Sequence, residues 1–262
     1  MDSIPPGRLL QNSRDGHVDA HDHLKGFGGL HGGLALALVT SAMRGHAEGR
    51  ELVSVTGRFG RTIDTRFRID TALTHAGRSS SIVSGRAESE RGPLLDSWAV
   101  FAAAADDVSW PAVEQPMPEV PTPEECDVFA IPKEFVPIST SMEIRPVGSA
   151  RPYAGGDRAE LVAWVRLLED DIPPDALRFV FLMDALAPSY AAVLSTPALV
   201  PTVEITVRPG AGLAKASSPW LLLRATTQQA ASSGWSSEGI DAWGPDGTHL
   251  GSAQQLRMVR GG

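Results

Sequence analysis

The most constraining feature of this sequence is an order of patterns that occurs twice. A run that is apolar nearly all round, from about Gly28 to Arg44 (GGLHGGLALALVTSAMR), precedes four runs that alternate in the strand period: Leu52–Phe59, Thr65–Thr71, Ser79–Ser89 and Leu94–Ala102. A second apolar run, Asp175–Leu186, precedes four more: Thr202–Val207, Trp220–Gln228, Gly234–Trp243 and His249–Val259. A helix with so little polar surface must be enclosed on several sides. Antiparallel strands joined by turns such as Glu90-Arg91-Gly92-Pro93 and Asp246-Gly247 are what is available to enclose it. A repeat this long is not a short solenoid unit. It predicts an α+β fold built twice, each unit a sheet wrapped around a helix.

The closing hairpins of the two units can be laid together, Arg91–Phe101 on Asp246–Leu256, with Gly92 on Gly247 and Ser97 on Ser252. Two further strand-like runs, Pro137–Pro146 and Arg158–Leu168, come before the second helix, which Pro173-Pro174 and the N-cap candidate Asp175 introduce. Between the units, Asp106–Pro137 is rich in proline and carboxylates. Proline neither continues a helix nor donates to a ladder, so this stretch reads as a semi-extended linker on the surface. The expected division is 1–110, a first unit; 111–136, a linker; and 137–262, a second unit.

Composition narrows the function classes. The 262 residues carry 23 Lys+Arg against 31 Asp+Glu, a formal charge of −8. Nucleic-acid binders show a basic excess, so no nucleic-acid partner is expected. One cysteine, Cys126, excludes an intrachain disulfide framework and a cysteine zinc site. With no apolar run long enough to span a bilayer and no basic-then-apolar leader, the expectation is a cytoplasmic protein with no membrane partner. His21 and His23 alternate as if on one strand face, but no third ligand is defined, so no metal is expected. There is no GxSxG elbow for a serine nucleophile.

The doubled helix-and-sheet order resembles the double-hotdog proteins. FGGLHGGLALAL (Phe27–Leu38) is similar to the glycine-rich opening of the hotdog helix in acyl-CoA thioesterases. FLMDALAPS (Phe181–Ser189), PTVEITVRP (Pro201–Pro209), WLLLRATTQ (Trp220–Gln228) and GTHLGSAQQLRMVR (Gly247–Arg260) resemble, in order, segments of the acyl-CoA thioesterase II family. The resemblance implies a double hotdog, two antiparallel sheets each wrapped around a long apolar helix and packed into one extended surface. It implies an enzyme that hydrolyses acyl-CoA to free acid and CoA without a cofactor. Homo-oligomers of such chains are compatible with it.

The same resemblance implies that an aspartate, a threonine and a glutamine hold the attacking water: Asp184, Thr202 and Gln255. Gln254 lies one register away and would face the other side of the sheet. The family's Asp-His pair after the threonine is replaced here by Glu204-Ile205, which bears on substrate preference. On residue chemistry alone, Asp184 in an apolar helix is either a water-orienting carboxylate or a group turning the chain before Pro188. Gln255 on a buried strand must find partners, and its amide can both donate and accept. His31, Gly32 and Gly33 open the first helix, where backbone N–H groups could serve a developing oxyanion; the other reading is close packing of glycine. On the hairpin alignment Gln255 matches Val100 and Thr202 matches Ser54, so one active site per chain is expected. Two rivals remain: a hotdog enoyl-CoA hydratase using Asp70 and His75, and a non-catalytic acyl-binding protein.

Overall fold

Proline and glycine positions set the helix lengths. The computed structural model describes residues 4–12, 16–103, 111, 113–169 and 171–260. Its helices are α1 (Pro6–Asn12), α2 (Gly32–Met43) and α3 (Ala176–Leu182). Asp175 caps α3, its Oδ1 accepting from the N–H groups of Leu177 and Arg178 at 3.0 and 2.8 Å. The expected continuation of α3 to Leu186 does not occur. After Met183 the chain closes by i to i−3 bonds, Asp184 N–H to Phe181 O and Ala185 N–H to Leu182 O. That tightened turn ends the helix. The expectation of a long helix in each unit is therefore corrected to twelve residues in α2 and seven in α3. The small helix α1, which packs on both others, escaped the sequence reading.

The strands are β1 (Gly16–Val18), β2 (Glu51–Phe59), β3 (Phe67–Ala76), β4 (Ser80–Ser89), β5 (Gly92–Ala102), β6 (Met142–Pro146), β7 (Glu160–Leu167), β8 (Thr202–Pro209), β9 (Leu221–Ala230), β10 (Trp235–Trp243) and β11 (His249–Met258). They form one antiparallel sheet of eleven strands, in the order β1-β3-β4-β5-β2-β8-β11-β10-β9-β7-β6. The expected two sheets are thus one. The edges that β2 and β8 would otherwise expose pair with each other, which satisfies their backbone groups. Thr56 and Thr206 hydroxyls meet at 2.9 Å across this seam, and Arg58 pairs with Glu204. The inner side carries α2 and α3 against each other, and one continuous apolar core runs through both halves.

The proline-rich segment crosses the outer face of the second half. Trp243 Nε1–H donates to Gln115 O and Trp164 Nε1–H to Pro121 O, at 2.8 and 2.9 Å. Met117, Val120 and Cys126 pack on Trp164, Trp220, Leu222 and Trp243. His21 and His23 lie at a 3-10 turn rather than on a strand, their rings stacked 5.7 Å apart. Among the described residues no three His, Cys, Asp or Glu side chains gather as a metal site, and no helix is long and apolar enough to cross a membrane.

Candidate active site

Where α3 ends against the start of α2, two glycines let the backbones touch. A Cβ on Gly33 would lie 2.4 Å from Phe181 O and 2.7 Å from Asp184 Cβ; one on Gly32 would lie 2.9 Å from Asp184 Oδ2. The contact places the Asp184 carboxylate at the N-terminus of α2, where helix N–H groups favour an anion. Asp184 Oδ2 accepts from Gly33 N–H at 2.8 Å. That N–H is therefore engaged by the carboxylate and is not open to a substrate oxygen, a correction to the expected role of Gly33. The preceding Gly32 N–H has no protein partner among the described residues.

β11 brings its inward residues to the same point. Ala253, Gln255 and Arg257 are buried, whereas Gln254 is exposed, so the side-chain alternation separates the two glutamines as expected. Gln255 Nε2–H donates to Asp184 Oδ1 at 3.0 Å, and Thr202 Oγ1–H donates to Gln255 Oε1 at 2.9 Å. Asp184, Thr202 and Gln255, from a helix end and two adjacent strands, form one hydrogen-bonded group.

His31 is the N-cap of α2. Its Nδ1 accepts from Leu34 N–H at 3.4 Å and lies 4.0 Å from Asp184 Oδ2, and its ring meets Phe181 edge-on. Burial holds the imidazole below its ordinary pKa, against the opposing pull of Asp184. Neutral, with Nδ1 accepting, the ring carries its proton on Nε2.

Two residues were missed by the sequence reading. Arg257 Nη1–H donates to Thr202 Oγ1 at 2.8 Å, and its Nε–H and Nη2–H both donate to Glu238 Oε1 at 3.1 Å. Arg257 Nη2 stands 3.9 Å from Asp184 Oδ1. The other Glu238 oxygen accepts from Ser189 N–H, just past α3. The available signal was their inward parity: residue 257 is two beyond Gln255, and Glu238 lies opposite Gln255 in the ladder.

A small, partly open apolar pocket of about 50 Å³ is lined by Leu186 and Ala187, which follow Asp184 in the chain, and by Ile144, Leu161, Ala163 and Phe129. The hydratase candidates are not brought together. Asp70 pairs with Arg68 on the outer side of β3, and His75 is exposed near that strand's end.

Comparison with solved structures finds the same fold. A conserved protein of unknown function with a hot dog fold from Alicyclobacillus acidocaldarius superposes with a TM-score of 0.86 at 22% identity, covering 96% of this chain and 95% of that one. A Thermobifida fusca protein, provisionally titled a thioesterase II, gives 0.83 at 20% identity over 100% and 99%. An acyl-CoA thioesterase II from Mycobacterium marinum gives 0.69 at 18% over 89% and 90%. No curated protein sequence matches the chain. The family model of the acyl-CoA thioesterase N-terminal domain matches residues 21–106, and that of the acyl-CoA thioesterase C-terminal domain matches residues 114–259. With both domain models matched in order along a hotdog fold, the chain belongs to the acyl-CoA thioesterase family and is a thioester hydrolase.

Proposed function

We propose that Asp184, Gln255 and Thr202 hold the water that attacks the acyl-CoA thioester, and that Gly32 N–H receives the developing oxyanion. The observation carrying this is the Asp184 carboxylate. It accepts two N–H bonds that fix its plane, one from each half of the chain, and it keeps lone pairs free beside an unused helix N–H. A water bound there gives a proton to Asp184 as its oxygen adds to the carbonyl carbon. The tetrahedral oxyanion lies against α2, and its collapse breaks the C–S bond. The CoA thiolate leaves and recovers the proton, and the acid remains. Gln255 has a second Nε2–H to give, and Thr202 fixes its amide. The neutral His31 ring adds an Nε2–H donor without a charge competing for Asp184.

The apolar pocket behind Leu186 gives the acyl chain an apolar place to begin. The division into units 1–110 and 137–262 joined by linker 111–136 fits this reading, since each unit gives the site one helix end. Cytoplasmic location and self-association into homo-oligomers belong to the same proposal. Free-thiol release over a panel of acyl-CoAs from short to long tests it. Saturable turnover that Asp184→Asn abolishes supports the assignment; turnover that survives the substitution overturns it.

A further inference from the structure

We propose that the buried Glu238–Arg257 pair is the positioning device of the water site, holding Thr202, Gln255 and the Asp184 segment in one fixed hydrogen-bond direction. The proposal rests on the reading of Asp184 as the group that binds the attacking water. Arginine can only donate and a carboxylate can only accept. Between these ends lie two groups that can do both, the Thr202 hydroxyl and the Gln255 amide. Arg257 donates to Thr202, Thr202 to Gln255 and Gln255 to Asp184. The two ends leave one consistent arrangement. The Gln255 Nε2 edge is turned to Asp184, and the Thr202 proton is spent on Gln255 rather than on the water.

Glu238 supplies the rest of the device. One of its oxygens takes two bonds from the guanidinium, which sets the plane of the fork, and the other takes Ser189 N–H. The pair therefore ties β8, β10 and β11 to the segment that carries Asp184. Burying two charges is costly and weak as a source of stability, so a role in orientation explains them better than a role in folding.

The ladders of the first half supply an independent argument. β5 pairs with β4 and β2 as β11 pairs with β10 and β8, and corresponding inward positions can be read from the pairings. Val83 and Val55 oppose Ala99 as Glu238 and Ile205 oppose Gln255. Ser81 and Leu52 oppose Phe101 as Ser236 and Thr202 oppose Arg257. So Leu52, Val83, Ala99 and Phe101 stand where the second half has Thr202, Glu238, Gln255 and Arg257. The four polar residues occur together in one half, and four apolar ones replace them in the other, as expected of parts that act as a unit.

The test compares thiol release and melting for Glu238→Gln/Arg257→Met, in which neither charge is left unpaired, with Arg257→Lys, whose single ammonium cannot reproduce the fork. The double variant is expected to lose about 10- to 100-fold in kcat, as when the outer partners that orient the ligands of a metal are removed from other sites, with KM nearly unchanged. Arg257→Lys is expected to fall between it and the wild type. In a Thr202→Val background the double variant should cost a smaller factor than it does alone, because part of its effect passes through Thr202. Wild-type kcat in Arg257→Lys, or an undiminished further loss in the Thr202→Val background, overturns the proposal; the Lys variant decides alone if the double variant does not fold. Asp184→Asn separates the two readings. If it keeps turnover, the water site itself is wrong; if it is dead while the Arg257 variants turn over normally, only the positioning role is wrong.

Discussion

The two halves share a scaffold and differ in what they put on each of its faces. Inside, the second half presents Thr202, Glu238, Gln255 and Arg257 at positions where the first half is apolar and filled. Outside, the order reverses. Trp164 is 2% exposed beneath the proline-rich segment, while Trp98 on the outer face of β5 is 46% exposed. The first half thus gives the shared core its apolar interior and, at the site, the backbone at the start of α2 with the His31 ring beside it. The second half spends interior positions on chemistry and regains burial on its outer face through the linker. An apolar core and a polar site compete for the same inward positions, and a chain with two copies can assign one to each.

The largest expected effect tests the asymmetry of the interiors. Asp184→Asn should lower kcat by about 10²–10⁴, the usual range for loss of a positioned base, with KM little changed in a thiol-release assay. Gln255→Ala should do the same more mildly. Combining the two should lose much less than the product of the single effects, because both act on one water. Full additivity would mean that they do not share it.

The outer faces give the next contrast. Trp164→Ala should cost about 3–5 kcal/mol of stability, as for other large aromatic truncations in cores. Trp98→Ala should cost less than about 1 kcal/mol, as for surface changes. Denaturant melts of the two variants compare the faces directly, and equal losses would show that the linker does not act as a cover.

Gly33→Ala probes the junction of the halves. Its Cβ would meet Phe181 O and Asp184 Cβ, an overpacking worth about 1–3 kcal/mol. The same shift should lengthen the bond to Asp184, so kcat and melting temperature should fall together. A variant that melts earlier but turns over normally would separate packing from chemistry.

The smallest effect is in pH dependence. His31 titrates lower when folded than its ordinary 6.5 because it is buried. Below about pH 6.5 the unfolded chain takes up a proton that the folded chain resists, so this contribution to stability is present above 6.5 and is lost as pH falls towards the folded value. His31→Asn keeps an N-cap acceptor and should flatten the fall in melting temperature below pH 6.5. Parallel curves for the two proteins would remove His31 as a source of the slope.

Much of this arrangement was legible in the sequence. Strand-period alternation separates Gln255 from Gln254, and the apolar run with its opening glycines marks α2. What alternation does not reveal is which charged residues point inward. Glu238 and Arg257 look like surface residues of WSSEGIDAW and AQQLRM until their partners in other strands are known. The pairing of the halves by their turn glycines placed Val100 and Ser54 opposite the site residues, on the wrong face. The ladders skip one residue in each closing hairpin, Leu94 in the first and Leu250 in the second, and these lie two and three residues past the turn glycines. Counted from those bulges, Gln255 corresponds to Ala99 and Thr202 to Leu52. The second helix was read too long because its apolar run continues past the turn that ends it.

The hydrogen bond from Gly33 N–H to Asp184 makes the two halves unequal in their exposure to mutation. Through it the first half donates a main-chain group, which almost every substitution in its sequence leaves unchanged. Apart from His31, its side chains answer to the core rather than to the reaction, so long as α2 still begins where it does and Gly32 and Gly33 stay small. The second half donates side chains, and a single base change can remove any one of them. Damage to the reaction should therefore be scattered over the polar residues of one half and concentrated at the first turn of a single helix in the other.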